Sequence, residues 1–127
     1  LLSAPGVGNV IAATLLARLP ELGTIDRRAI ANLAGLAPHA CDSGNMRGRR
    51  KIWGGRTEVR SALYIAGFIA SKSYAEFKRY RKKLEDAGKP FKVAIIAVAR
   101  RLLVQLNAMM RENRLYEPER APSTEPL

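Results

Sequence analysis

The sequence predicts an all-α domain of about five helices, with a helix-hairpin-helix-like turn at the N-terminus and one long Gly/Arg-rich functional loop. Three observations carry that expectation. Apolar residues recur at spacings of three and four over most of the chain, the period of a helix with one buried face. Between those stretches stand short clusters of Gly, Pro, Ser, Thr, Asn and Asp, which stop one helix and cap the next. No segment of useful length alternates apolar and polar residues, and neither a hairpin signal nor an internal repeat is present.

In chain order, Pro5-Gly6-Val7-Gly8 forms a tight turn, and Asn9 stands ready to cap a helix whose facing positions 10, 11, 14 and 15 continue to about Leu19. Pro20 and Gly23 end it. Thr24 or Asp26 opens a short second helix through Ala34, with Gly35 and Pro38 as its stop. After the loop, Thr57 caps a third helix to about Lys72, where positions 59, 62, 63, 66, 69 and 70 share a face, so this helix is expected to be largely buried. Ser73 with Glu76 reads as a capping box for a fourth helix, which ends at Gly88 and projects Lys78, Arg79, Arg81, Lys82 and Lys83. Pro90 suits a first helical position, and the last helix runs from there to about Arg111 with a wide apolar stripe. From Asn113 on, Pro118, Pro122 and Pro126 among mixed charges read as a disordered tail, which gives a domain over 1–112 and a tail over 113–127.

A chain of 127 residues with 47% hydrophobic content makes one domain with a modest core. Its net charge of +11 is unevenly placed: residues 1–111 hold 20 Lys and Arg against 7 acids, and residues 112–127 hold 2 against 4. A body this basic points to nucleic acid, with an anionic membrane surface or plain solubility as the other readings. The single cysteine, Cys41, excludes an internal disulfide and fits a reducing cytosol. No run reaches the roughly 18 apolar residues of a spanning helix. Val93 to Val104 is interrupted by Arg100 and Arg101 and reads as a core helix, so no membrane partner is expected. The opening Leu-Leu-Ser-Ala-Pro-Gly lacks the initiator Met and charged n-region of a signal peptide, and the chain is expected to start partway through a longer protein.

The segment Asp42 to Arg56 looks most like a site. It holds four of the ten glycines and five cations, Arg47, Arg49, Arg50, Lys51 and Arg56, around one hydroxyl, Ser43. Gly44, Gly48, Gly54 and Gly55 break any regular period, so the backbone can lie close against another surface. Asp42 is the only acid between Ile30 and Arg56, which makes phosphate the natural ligand of the guanidinium forks. A solvated basic loop is the plainer reading. Arginines can hold the non-bridging oxygens of a phosphodiester under attack, but Ser43 also needs a base, and only Asp42 is at hand; the alternative is a turn-capping serine. Trp53 either stacks on a base or anchors the loop. His39 and Cys41 lack a third partner at metal spacing, so no metal site is expected.

The Gly6-Val7-Gly8 turn and the helix after it resemble the second half of a helix-hairpin-helix motif, in which backbone amides approach one phosphate without reading its base; a simple turn is the other reading. The basic face of the fourth helix is either solvated or a weak backbone contact acting through counterion release.

Ser3-Ala4-Pro5-Gly6-Val7-Gly8, Leu33-Ala34-Gly35-Leu36-Ala37-Pro38, Asp42-Ser43-Gly44, Arg47-Gly48-Arg49-Arg50, Ile52-Trp53-Gly54-Gly55-Arg56, Val59-Arg60, Ala62-Leu63-Tyr64, Gly88-Lys89 and Leu106-Asn107-Ala108 occur in one order. Together they resemble the C-terminal transposase domain of DEDD-type insertion-sequence transposases, relatives of the Piv-type DNA invertases. The resemblance implies a two-part DNA recombinase of the cytoplasm and nucleoid. An upstream ribonuclease-H-like domain would carry four acids and Mg²⁺, and the present domain would carry the serine nucleophile, by position Ser43. It further implies work as a homo-oligomer on DNA, in some members with a structured guide RNA. On this reading Arg47, Arg49, Arg50, Lys51, Arg56 and Arg60 contact phosphate, and Gly6, Val7 and Gly8 form a non-specific DNA clamp. His39-Ala40-Cys41 departs from the more polar approach expected before the serine. The rival reading is a non-catalytic nucleic-acid-binding module.

Overall fold

The computed structural model describes residues 1–36 and 56–117, which contain five helices and no strand. They are α1 (Asn9–Arg18), α2 (Arg27–Leu33), α3 (Thr57–Ser73), α4 (Ala75–Asp86) and α5 (Phe91–Glu112). The all-α expectation holds, and each helix falls within a few residues of its expected place.

At 22 residues, α5 is the axis of the fold. It packs against α2, α3 and α4, and buries Ala94, Ile95, Val98, Leu102, Leu103 and Leu106 among them. By length and composition alone α5 could cross a membrane, but 56% of its apolar window is buried inside the protein, as expected of a core helix. Its two interrupting arginines lie on the flanks: Arg100 Nε donates to the Leu36 carbonyl at 3.3 Å, and the Arg101 guanidinium lies 4.3 Å from the Tyr80 ring centre.

Helix α3 buries Val59, Ala62, Leu63, Ala66, Gly67, Ala70 and Ser71. Ile69, expected on that face, is 41% exposed. Small side chains set the contact: a Cβ on Gly67 would come within 3.0 Å of the Ala99 amide nitrogen of α5. Close backbone approach thus selects the Ala66-Gly67-Ala70 edge and turns the bulkier Ile69 outward.

The helix stops match the sequence more closely than the starts. Gly35 and Gly88 adopt left-handed φ of 77° and 97°. After each, the next amide bonds back across the turn, Leu36 to Ala31 O at 2.9 Å and Lys89 to Leu84 O at 3.0 Å, which is the Schellman pattern. Asp26 caps α2, its Oδ1 accepting from the Ala29 amide at 2.8 Å. The other starts differ from expectation: the N-cap residues are Gly8, Arg56, Tyr74 and Pro90, and none makes a side-chain cap. Asn9 and Thr57 are already helical, while Pro90 stands just before its helix. The Ser73–Glu76 capping box does not form. Ser73 is still the last residue of α3 and only Tyr74 separates it from α4, so the N-cap position falls to Tyr74, whose amide donates to Ala70 O at 2.9 Å. Glu76 instead meets Gln105 Nε2 of α5 at 3.4 Å.

A buried asparagine ties the α1–α2 connection to the axis. Asn107, 2% exposed, accepts from the Gly23 amide at 2.6 Å and donates Nδ2 to Ile25 O at 2.9 Å. Beyond α5 the chain still touches the body as far as Tyr116, whose amide donates to Ser3 Oγ at 3.0 Å. These residues lie past the domain boundary expected at 112.

Candidate nucleic-acid interface

The N-terminal turn is divided between core and solvent. Ala4, Pro5 and Val7 are buried, and Gly6 sits with φ of 77° directly over α3. A Cβ on Gly6 would overlap the Ala66 carbonyl. Packing alone therefore requires this glycine. Gly8 is exposed with open space around its α-carbon, its φ of −97° suits any residue, and its carbonyl accepts the Ala12 amide at 2.9 Å. No side chain caps α1, which leaves the first-turn amides beside exposed Gly8, Asn9 and Val10 to solvent or a ligand. Of the three residues expected to clamp DNA, Gly8 faces outward, while Val7 belongs to the core.

Ser43, Arg47, Arg49, Arg50 and Lys51 lie outside the described residues, as do His39, Cys41 and Trp53. The residues flanking that segment on both sides are described, and both are held. On the N-terminal side Leu36 is 1% exposed, and its carbonyl takes the Arg100 bond. Beside it, a Cβ on Gly35 would lie 3.3 Å from Arg60 Cδ, so the Arg60 stem runs past this turn.

On the C-terminal side Arg56 donates both guanidinium NH groups to Glu21, at 3.0 and 3.1 Å, and its NH1 also reaches Arg18 O at 3.5 Å. The fork-to-fork hydrogen bond from Arg56 holds the Glu21 carboxyl below its ordinary 4.5, and the same bond raises Arg56. Arg18 pairs in turn with Glu58 at 3.2 Å. Arg56 was expected to contact phosphate, yet here it fixes the segment's root to the end of α1. Arg60 is exposed, with no acid in ion-pair range among the described residues. Arg100 is a cation at the same root that sequence reasoning passed over; its signal was a charge placed inside an otherwise apolar run.

The fourth helix also changes on inspection. Lys78, Arg79, Lys82 and Lys83 are exposed, but Arg81 is half-buried, 4.0 Å from Glu85 and over the Phe91 ring at 5.7 Å. The fifth cation of the expected face is thus turned onto the Phe91 ring of α5, with the Glu85 carboxylate of its own helix beside it. Among the described residues no three His, Cys, Asp or Glu side chains are grouped to hold a metal ion.

The fold and site define a basic all-helical domain in which ion pairs and buried packing hold both roots of a cationic, serine-containing segment. The chain belongs to the IS116/IS110/IS902 transposase family, whose model matches residues 1–85. It is similar to the pilin gene-inverting protein of Moraxella bovis, 33% identical over 117 residues that make up 89% of this chain and 36% of that protein. It is also similar to the insertion element IS900 42 kDa protein of Mycobacterium paratuberculosis, 32% identical over 124 residues, 93% of this chain and 30% of that protein. A third relative is the insertion element IS116 44.8 kDa protein of Streptomyces clavuligerus, 32% identical over 120 residues, 91% of this chain and 30% of that protein. The chain spans about a third of the length of these curated relatives. No solved structure matches it at a significant level.

Proposed function

We propose that this chain is the serine-bearing, DNA-binding domain of an insertion-sequence transposase or site-specific recombinase, with Ser43 as the nucleophile. The observation that carries the reading is the likeness to a gene-inverting protein along 89% of the chain, including the one segment where a hydroxyl stands among cations. In the step proposed, Ser43 Oγ bonds to a phosphorus of the DNA backbone and the deoxyribose oxygen leaves with the electron pair of the broken P–O bond. Arg47, Arg49, Arg50 and Lys51, with Arg60 at the root, balance charge on the non-bridging oxygens. Attack by a hydroxyl of another DNA end then reverses the chemistry and releases the serine. Gly8 and the first-turn amides of α1 offer a backbone contact to a phosphate elsewhere on the duplex.

The serine's proton must go to a base. The reading assigns that base, with Mg²⁺, to acids in the upstream part of the protein, since the segment offers only Asp42. It also takes DNA as substrate, a homo-oligomer as the working form and, where one is encoded beside the element, a structured guide RNA. A non-catalytic binding module is the second reading, favoured by the sequence's offering no base near Ser43 other than Asp42.

The deciding experiment uses full-length protein, labelled DNA carrying the element's junction, Mg²⁺ and any guide RNA, resolved on a denaturing gel. A protein-linked DNA band that Ser43→Ala abolishes is expected. Recombination products without such a band would remove Ser43 from the chemistry and leave the binding-module reading.

A further inference from the structure

Helix α4 sorts its charges by side. Its acids face inward or sit at its end: Glu76 meets Gln105 of α5, Glu85 is half-buried beside Arg81, and Asp86 is the last helical residue. Phe77 is buried in the core. Outward stand Lys78, Arg79, Lys82 and Lys83, all exposed, and among the described residues none is paired with an acid. Two of these pairs, 78 with 82 and 79 with 83, sit at the i,i+4 spacing where like charges repel and weaken a helix. A helix face that served only solubility would mix signs and gain i,i+4 pairing instead. The arrangement is costly to the free protein and favourable once a polyanion lies along it.

We propose that Lys78, Arg79, Lys82 and Lys83 form a second, sequence-independent docking ridge for the phosphate backbone of duplex DNA, on an element that holds neither root of the serine segment. Leu36 and Arg56, which flank that segment, are held by Arg100, Glu21 and Arg18, and none of these belongs to α4. Duplex DNA as occupant rests on the function proposed above. Residues 78 to 83 span about 7–8 Å along the helix axis, at about 1.5 Å per residue. One DNA strand presents a phosphate roughly every 3.4 Å of its axis, so the ridge meets about two or three phosphates. Exposed Lys89 and Lys92 extend positive charge past the Gly88 turn, whereas Arg81 takes no part.

The test titrates a labelled 30-base-pair duplex of arbitrary sequence with the 127-residue chain at several salt concentrations. The fourfold variant Lys78→Gln, Arg79→Gln, Lys82→Gln, Lys83→Gln is compared with Arg81→Gln and the parent. For the fourfold variant the slope of log K against log salt is expected to become shallower by about 2 to 3, with affinity at 0.1 M salt at least about tenfold weaker. Its thermal midpoint is expected to stay level or rise, because the repulsion is gone. Arg81→Gln is expected to keep the parent slope. An unchanged slope in a folded fourfold variant would overturn the ridge, as would a loss of binding confined to phosphatidylserine vesicles. The two proposals fail separately: a Ser43-dependent adduct with an unaltered slope sinks only the ridge, and a ridge-dependent slope without an adduct sinks only the serine chemistry.

Discussion

At the scale of single residues, the two glycines of the N-terminal turn have the same sequence context and opposite physical roles. Gly6→Ala must place a methyl group against the Ala66 carbonyl and hold an L residue at φ of 77°. The backbone conformation costs about 1–2 kcal/mol and the overlap about 1–3 more, so a loss of roughly 2–5 kcal/mol is expected in urea unfolding. Gly8→Ala meets nothing within 4 Å, and its stability should stay within about 0.5 kcal/mol of the parent. If Gly8→Ala nonetheless weakens duplex binding, the exposed end of the turn is a phosphate contact; unchanged binding would remove it from the interface. The Arg56–Glu21 pair has its own signature. The Glu21 carboxyl lies below 4.5 in the folded protein, so its stabilisation is complete above that value and is lost as the pH falls through the lowered one. Both side chains are partly exposed, which limits the pair to a surface-like contribution. Glu21→Gln is expected to lower the thermal midpoint by about 1–4 °C at pH 7, with the gap to the parent closing as the pH falls through the lowered Glu21 value. A gap independent of pH would mean that packing, not charge, links the two residues.

At the scale of elements, the contact of α3 with α5 sets two effects against each other at Gly67. Alanine gains about 1 kcal/mol in helix propensity over glycine. Its Cβ, however, would press on the Ala99 backbone at 3.0 to 3.1 Å, and backbone in the middle of a core helix yields poorly. Overpacking of about 1–3 kcal/mol outweighs it, so Gly67→Ala should destabilise by up to roughly 2 kcal/mol; a more stable variant would show that the two helices can part without cost. The apolar period or stripe made α1, α3 and α5 legible, because burial of one face is a property of each segment alone, while α2 and α4 were read from their expected caps and glycine stops. Ile69 was misplaced because which edge of α3 faces inward depends on how closely α5 approaches. The Ser73 cap failed for a similar reason: where the preceding helix ends decides which residue caps the next, and with Ser73 still helical that place falls to Tyr74. Glycine stops were legible since left-handed φ is a local demand that few other residues meet.

At the scale of the whole molecule, the division of cations into structural and available ones was the part of the site hidden from the sequence. Arg56, Arg81, Arg100 and Arg101 are engaged with a carboxylate, an aromatic ring or a carbonyl, and each engagement depends on a tertiary neighbour. The concentration of charge around Ser43 was legible because glycines and the scarcity of acids are visible locally. Enough positive charge remains for polyanion binding, while the proposed reading assigns the base and Mg²⁺ to residues outside this sequence. Binding and chemistry should therefore come apart in this chain. The 127-residue protein is expected to bind duplex DNA with affinity falling at least about tenfold between 50 and 200 mM salt, and to leave supercoiled plasmid intact in Mg²⁺. Nicking by the parent that Ser43→Ala removes would place a complete active centre within these 127 residues. Intact plasmid together with salt-sensitive binding is what the proposed composite site expects, because the phosphate-holding half of the reaction would then be working without the proton-accepting half.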